Sequence, residues 1–307
     1  MATSIASLLR QNRNYRLLWF GQIVSEIGDH FNNIAVFSLA MGQQHGGLLV
    51  SGVLIARAVP MLIAGPLAGS VLDRYDRRKV MIASDFFRAF VSLGFILCVG
   101  QKSNTLLFVL SALLMFASPF FSSGRSSILP IVAQGDDLPA ANTLTQTTAW
   151  ATTAVGAFLG GSAVALFGYE YAFMLNALSF FLSGCSLLFF RTGRNAFMPP
   201  LRGLRRSFHP INDYFAGLRY LRSQPLLLAI ALIGVGWATG GGAAQILFSV
   251  FGDKVFHRGP QGIGILWGAA GAGLVAGGIL GNRLNQKLTF VGYKRAVSVC
   301  YILHGAL

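Results

Sequence analysis

The apolar positions of this chain do not alternate with polar ones as in a half-buried strand. They come as unbroken runs of about twenty residues. That is the length a helix needs to cross roughly 30 Å of hydrocarbon. It predicts spans at 17–41, 48–72, 80–101, 104–123, 143–168, 171–190, 225–250 and 263–283, with a further one begun at 295. Short alternating segments, the mark of a closed β-barrel, do not occur in the pattern. The expected fold class is an all-α polytopic membrane protein of eight to nine spans. The first run is too long for a signal-peptide core and no small-residue cleavage pattern follows it, so it reads as a retained span.

One polar stretch, 191–224, breaks the series. Within it, "DYFAGLRYLRSQP" sets Phe215, Leu218 and Leu221 against Arg219 and Arg222, which suits a short amphipathic helix lying on a membrane surface. A plain basic tether fits as well. Either way the chain divides into a six-span unit at 1–190, a basic linker at 191–224 and a partial second bundle at 225–307.

Composition agrees with the pattern. Hydrophobic residues make up 54% and charged residues only 11% of the 307, against about 25% charged in soluble domains; the mean hydropathy is +0.60. The net charge of +14 would suit nucleic acid if it formed a patch, but its distribution says otherwise. When span ends alternate sides, nineteen of the 24 lysines and arginines fall at one end and three, Lys102, Lys254 and Arg258, at the other. Arg57 and Arg88 lie inside spans. This is the positive-inside asymmetry, which places the N-terminus in the cytoplasm and the protein in a plasma (inner) membrane. Lipid is then the partner, and nucleic acid is excluded. Cys98, Cys185 and Cys300 sit in three different apolar runs and read as buried free thiols, with no metal or disulfide spacing.

Against this background the stretch "SEIGDHFNN", Ser25 to Asn33, is anomalous: two carboxylates and an imidazole in the middle of the first span. At about 100° per residue, Gln22, Glu26, Asp29, His30 and Asn33 share one arc of roughly 100°. Ionisable groups at such depth are costly and mark a pathway, a relay or a buried pair. Arg57 in the second span is the candidate counter-ion. With a rise of 1.5 Å per residue, Asp29 lies about 18 Å and Arg57 about 22 Å from the same end. An Asp29–Arg57 contact is therefore expected, with Glu26 less fully paired and able to carry a proton; His30 can share it. A fixed bridge from either acid to Arg57, setting helix register only, is the competing reading. Asp85 and Arg88, three apart, can pair on one helix face.

Two further comparisons concern glycine. "GPLAGSVL" from Gly65 and "GGILGNRL" from Gly277 align Gly65 with Gly277, Gly69 with Gly281 and Leu72 with Leu284. Both end a second span before a basic loop. They fit a parallel repeat or plain helix packing. The fifth span carries Gly156, Gly160 and Gly161 in "VGAFLGGSAVALFG", and the eighth carries "GAAGAGLVAGGILG"; both are read as close-packing faces. No phosphate-binding Gly-Lys-Ser/Thr loop, ligand spacing or nucleophile with a base is seen. No cofactor and no enzymatic activity are expected.

"GSVLDRYDRRKV", Gly69 to Val80, resembles the signature loop of the major facilitator superfamily, with Asp73, Arg74, Arg77 and Arg78 at its acidic and basic positions and Asp76 where a glycine is common. "NRNYRLLWFGQIVSEIGD", "LPIVAQGDDLPAANTLTQ" and "GLRYLRSQPLL" extend the resemblance to its enterobactin-exporter and macrolide-efflux branch. The resemblance implies two six-helix halves rocking about a central site, with a small-molecule substrate exported in exchange for protons. It also implies a cytoplasmic gating cluster, here Gly69, Asp73, Arg74, Arg77, Arg78, Asp85, Arg88 and Arg125. The glycine-rich fifth span resembles an antiporter motif without its proline. Two six-span halves need roughly 400 residues, so a transport-inactive fragment of such a permease is the alternative expectation.

Overall fold

A computed structural model of the chain describes residues 5–101, 103–135, 137–191, 196–199, 210–285 and 288–306. Lys102, Arg194, Arg202, Arg205, Arg206 and Lys287 lie outside the described residues, as does most of the centre of the expected linker. Among the described residues every regular element is helical. The order is α1 (Ile5–Gln11), α2 (Arg13–Met41), α3 (Gly46–Leu72), α4 (Arg77–Gln101), α5 (Asn104–Val132), α6 (Asp137–Phe167), α7 (Tyr169–Leu188) and α8 (Pro210–Ser223). Then come α9 (Pro225–Val250), a π-helical turn (Phe251–Val255), α10 (Gly259–Asn285) and α11 (Phe290–Ala306).

Among the described residues seven helices are long and apolar enough to cross a membrane: α3 to α7, α9 with its π turn, and α10. At 29 residues α2 is equally long and differs in carrying charges within its length. The chain is a multi-pass, all-α membrane protein.

Helices α2 to α7 form one bundle: α2 packs on α6 and α7, α4 on α5 and α7, and α3 on α5. Its core runs through Phe37, Phe95, Phe173 and Phe180, all nearly inaccessible. Phe95 and Phe173 stack at 5.2 Å. Cys98 belongs to this core, whereas Cys185 is half-buried and Cys300 exposed, so burial of all three thiols does not hold. The bundle meets the later helices through α6 against α10. A Cβ on Gly264 would come within 2.8 Å of the Gly161 Cα, and one on Gly161 would meet the Gly264 Cα at the same distance. Only glycine lets the two backbones touch there.

The basic end of the bundle is stapled by polar residues of the α2 entry. Asn12 caps α2, accepting from the Tyr15 amide at 2.9 Å, and donates to the Val132 carbonyl at the end of α5 at 2.7 Å. Asn14 exchanges two hydrogen bonds of 2.9 Å with the Arg191 backbone. The Tyr15 hydroxyl donates to Ala141 O at 3.0 Å, and Trp19 Nε1 donates to Thr148 Oγ1 at 2.7 Å. Each bond satisfies a polar group that hydrocarbon would leave unpaired.

Two boundaries differ from the pattern-based expectation. Helix α5 runs to Val132 rather than 123, and α6 starts at Asp137 rather than 143. The serines, glycine and prolines of 118–130 read as loop signals, yet Pro119 and Pro130 lie inside the helix. Ser118, Ser126 and Ser127 turn their hydroxyls onto carbonyls four residues back, at 2.9, 3.1 and 2.8 Å. That back-bonding keeps the turn compatible with a helix. Arg125 is consequently a mid-helix residue and not part of a loop.

Candidate functional site

The polar stripe of α2 meets partners from α3, α5 and α6. Glu26 accepts three hydrogen bonds: from Gln22 Nε2 at 2.9 Å, from Arg125 Nη1 at 3.0 Å and from Thr152 Oγ1 at 2.7 Å. Gln22 also donates to the Thr145 carbonyl of α6 at 2.9 Å. The Glu26–Arg125 ion pair joins α2 to α5, with each side chain about one-fifth exposed (20% and 21%). Glu26 is thus the tightly held acid, the reverse of the expectation that it would be the less paired one.

Arg57 makes neither a hydrogen bond nor an ion pair with Asp29, although the two charges lie close enough to interact. Its guanidinium donates to Asn33 Oδ1 at 2.7 Å and more weakly to Asn32 Oδ1 at 3.4 Å, and lies 5.1 Å from the centre of the Phe37 ring. The depth arithmetic contains the reason. Arg57, about 22 Å from the basic end, is level with Asn32 and Asn33 at roughly 22–24 Å and a turn beyond Asp29 at about 18 Å. Asp29 is left with no hydrogen bond or ion pair among the described residues, and its side chain is only half-buried. His30 packs on α6, where a Cβ on Gly156 would lie 3.1 Å from its own Cβ. It is not joined to the carboxylates.

The gating residues inferred from the signature loop fall into separate groups. Asp85 and Arg88 form an ion pair within α4, 0% and 5% exposed, and Phe180 and Phe121 cover the Arg88 guanidinium at 4.2 and 4.7 Å. Arg78 donates from Nε to Leu187 O and from Nη2 to Leu188 O, both at 2.8 Å. It therefore neutralises the open carbonyls and negative dipole end of α7. The Arg77 amide donates to Phe197 O at 3.2 Å. Asp76 accepts from the amides of Arg78 and Lys79 at 3.0 and 3.2 Å, so the residue that departs from the usual glycine serves as the start cap of α4. Arg74 lies in the turn after α3. Gly69 and Asp73 line a groove of about 670 Å³ whose other wall is Tyr214, Leu218 and Tyr220 of α8.

Arg125, grouped with the basic loop by the resemblance, pairs in the structure with Glu26 of the α2 stripe. Its signal was its spacing, two turns before the end of α5, once that helix is extended to Val132. Among the described residues there is no group of three His, Cys, Asp or Glu able to hold a metal. Gly65, Gly69, Gly277 and Gly281 share one property: a Cβ on any of them would meet nothing within 4 Å.

Residues 2–304 match the family model described as transmembrane secretion effector, of major facilitator type. The chain is similar to the uncharacterized MFS-type transporter YfiS of Bacillus subtilis, 29% identical over 222 residues, covering 72% of this chain and 52% of that protein. It is also similar to the enterobactin exporter EntS of Shigella boydii, 26% identical over 284 residues, covering 91% of this chain and 65% of the relative. The same exporter of Escherichia coli matches at 26% over 288 residues, 92% and 66% of the two chains. The chain thus spans about half to two-thirds of the length of the curated relatives it matches.

Proposed function

The chain belongs to the transmembrane secretion effector family of major facilitator transporters, and from that premise we propose that it serves the secondary active export of a small amphiphilic molecule, of siderophore or drug class, in exchange for protons. The enterobactin-exporter relatives support the substrate class. Eighteen basic residues at one end, with Arg125 set aside inside α5, support an inner-membrane orientation with that end and the N-terminus in the cytoplasm. On this reading residues 1–190 are the first transport unit, 191–224 a cytoplasmic linker with α8 on the membrane surface, and 225–307 part of the second unit.

The observation that carries proton coupling is the contrast between two acids one turn apart. Any change at Glu26 must break bonds to α5 and α6. Asp29 makes no hydrogen bond or ion pair among the described residues and is half-buried, with Arg88, Glu26, Arg57 and Asp85 as the charged groups around it. An intramembrane carboxylate without a fixed partner is the group able to take up and lose a proton as access alternates. Asp29 is therefore the proton carrier in this mechanism, Glu26 with Arg125 the clamp that fixes its helix, and Arg57 with Asn33 the polar neighbour one turn deeper. His30 is left to packing. The charges of the signature loop act at the cytoplasmic end.

The test is efflux of a fluorescent lipophilic cation or a catechol siderophore from proteoliposomes holding the purified chain, with and without a pH gradient. D29N should lose the acceleration by the gradient and keep gradient-independent exchange. Unaltered gradient dependence in D29N sinks the assignment.

A further inference from the structure

The seam between α6 and α10 is closed by glycine near its middle and opens towards the basic end. There it forms a groove of about 600 Å³, within the range of small-molecule sites. One wall is α6, presenting Asn142, Thr143, Gln146 and Thr147, and then Trp150. The other is α10, presenting Val275, Gly278 and Ile279, and then Arg283. The two helices run in opposite directions, so both walls carry the same gradient. Amides, hydroxyls and a guanidinium lie at the mouth; an indole and aliphatic side chains lie about 12 Å deeper. Gly278 makes room for the Trp150 ring, since a Cβ there would lie 2.9 Å from its Cε3.

The polar side chains at the mouth bond to no neighbouring helix among the described residues. Thr143 bonds back to its own helix at Pro139 O, at 3.0 Å. Asn142, Gln146, Thr147 and Arg283 have no side-chain partner among the described residues, and all are exposed. Such a stripe on a membrane helix calls for a partner that is polar at one end and apolar at the other. The cation at the mouth selects an anionic head, and indole side chains favour the depth at which headgroup meets chain.

We propose that this groove is a binding site for an anionic phospholipid. Its phosphate sits at Arg283, with hydrogen bonds from Asn142 and Gln146, and its acyl chain runs along Trp150, Ile279 and Val275. The site lies at the seam of the two helical units, apart from the Glu26–Asp29 stripe, and it does not rest on the transport reading. The density of basic residues at this end of the molecule favours anionic over zwitterionic lipid in the same way.

Native mass spectrometry of the purified chain in detergent, titrated with phosphatidylglycerol, phosphatidylcholine or inorganic phosphate, tests it. Phosphatidylglycerol should be retained in preference to phosphatidylcholine. R283Q should lower its retention about fivefold, the effect of one basic residue near an anionic surface. Q146L with T147L should lower it further, and K254Q, in the π-helical turn at the opposite end, should leave it unchanged. A folded R283Q, checked by its helical circular dichroism, that retains phosphatidylglycerol like the parent would overturn the proposal. Equal retention of the two lipids would do the same, as would full displacement of lipid by inorganic phosphate at matched concentration.

Discussion

Removing the charge of Arg125 exposes what holds the first helix in place. Arg125 donates to Glu26 at 3.0 Å, and the same carboxylate takes bonds from Gln22 and Thr152. In R125Q, Glu26 keeps two neutral donors and loses its counter-ion. A hydrogen bond to a charged group contributes about 1.5–3 kcal/mol. The pair is only about one-fifth exposed, so solvent screening removes a small part of this and leaves a coupling of about 2 kcal/mol. The single variants alone do not isolate it. E26Q turns an acceptor into an amide whose NH2 faces donors, and R125Q leaves a lone carboxylate. A double-mutant cycle over E26Q, R125Q and the double variant subtracts both effects, read as unfolding free energy in mixed detergent. The singles should each be destabilised, and the double should be more stable than their sum by about 2 kcal/mol. A coupling below about 0.5 kcal/mol, the scatter of independent sites, would refute the clamp. D29N serves as the internal control. With no partner to lose, its stability should stay within about 0.5 kcal/mol of the parent, and a larger loss would mean that Asp29 is bonded after all.

Further outcomes follow from single contacts. G264V places a branched side chain against the Gly161 backbone and should destabilise by about 1–3 kcal/mol, visible as a lower melting temperature; an unchanged melt would mean that α6 and α10 do not touch. R78Q removes two bonds from the end of α7 and should cost about 1–2 kcal/mol, with R78K recovering less than half, because an ammonium is a poor match for two adjacent carbonyls. Y15F deletes the hydroxyl that bonds Ala141 O and Thr145 Oγ1 of α6 and should cost about 1 kcal/mol by the same unfolding measurement. Replacement of Asp76 by alanine should cost about 1 kcal/mol while glycine costs only a few tenths, which distinguishes a capping role from a charge role.

Much of the architecture was legible in hydropathy. The spans at α3, α4, α7 and α9 fall within a few residues of their expected bounds because apolar runs end where polar termini must reach water. The α5–α6 boundary was not legible, since Ser, Gly and Pro have the same composition in a loop as in a back-bonded membrane helix. Periodicity was enough to set Gln22, Glu26, Asp29 and Asn33 on one face of α2, because a 3.6-residue repeat is a property of one helix. The partners of that stripe depend on the relative shifts of four helices, and a shift of one turn moves a guanidinium from one residue to another. Arg57 shows how small the margin is: 4 Å of depth separates the expected contact from the observed one.

That margin bears on why one acid of the stripe is clamped and the other is not. The cations bonded to α2 within the stripe sit at two levels, Arg125 (with Thr152) at Glu26 and Arg57 at Asn32 and Asn33. Asp29 falls in the interval between them, about 4–6 Å from each along the helix axis. Neither cation can approach it without leaving an acceptor already bonded at 2.7–3.0 Å. The two clamps thus fix the height and rotation of α2 while keeping the intervening carboxylate free, which is how a titrating group is held in position without being neutralised. Moving Arg57 to the height of Asp29 would remove that freedom. A variant carrying R57Q together with lysine at Met61, one turn nearer the basic end, should pair Asp29 and abolish any response to pH while leaving the Glu26–Arg125 coupling intact. A retained pH response in that variant would show that the spacing of the clamps is not what leaves Asp29 free.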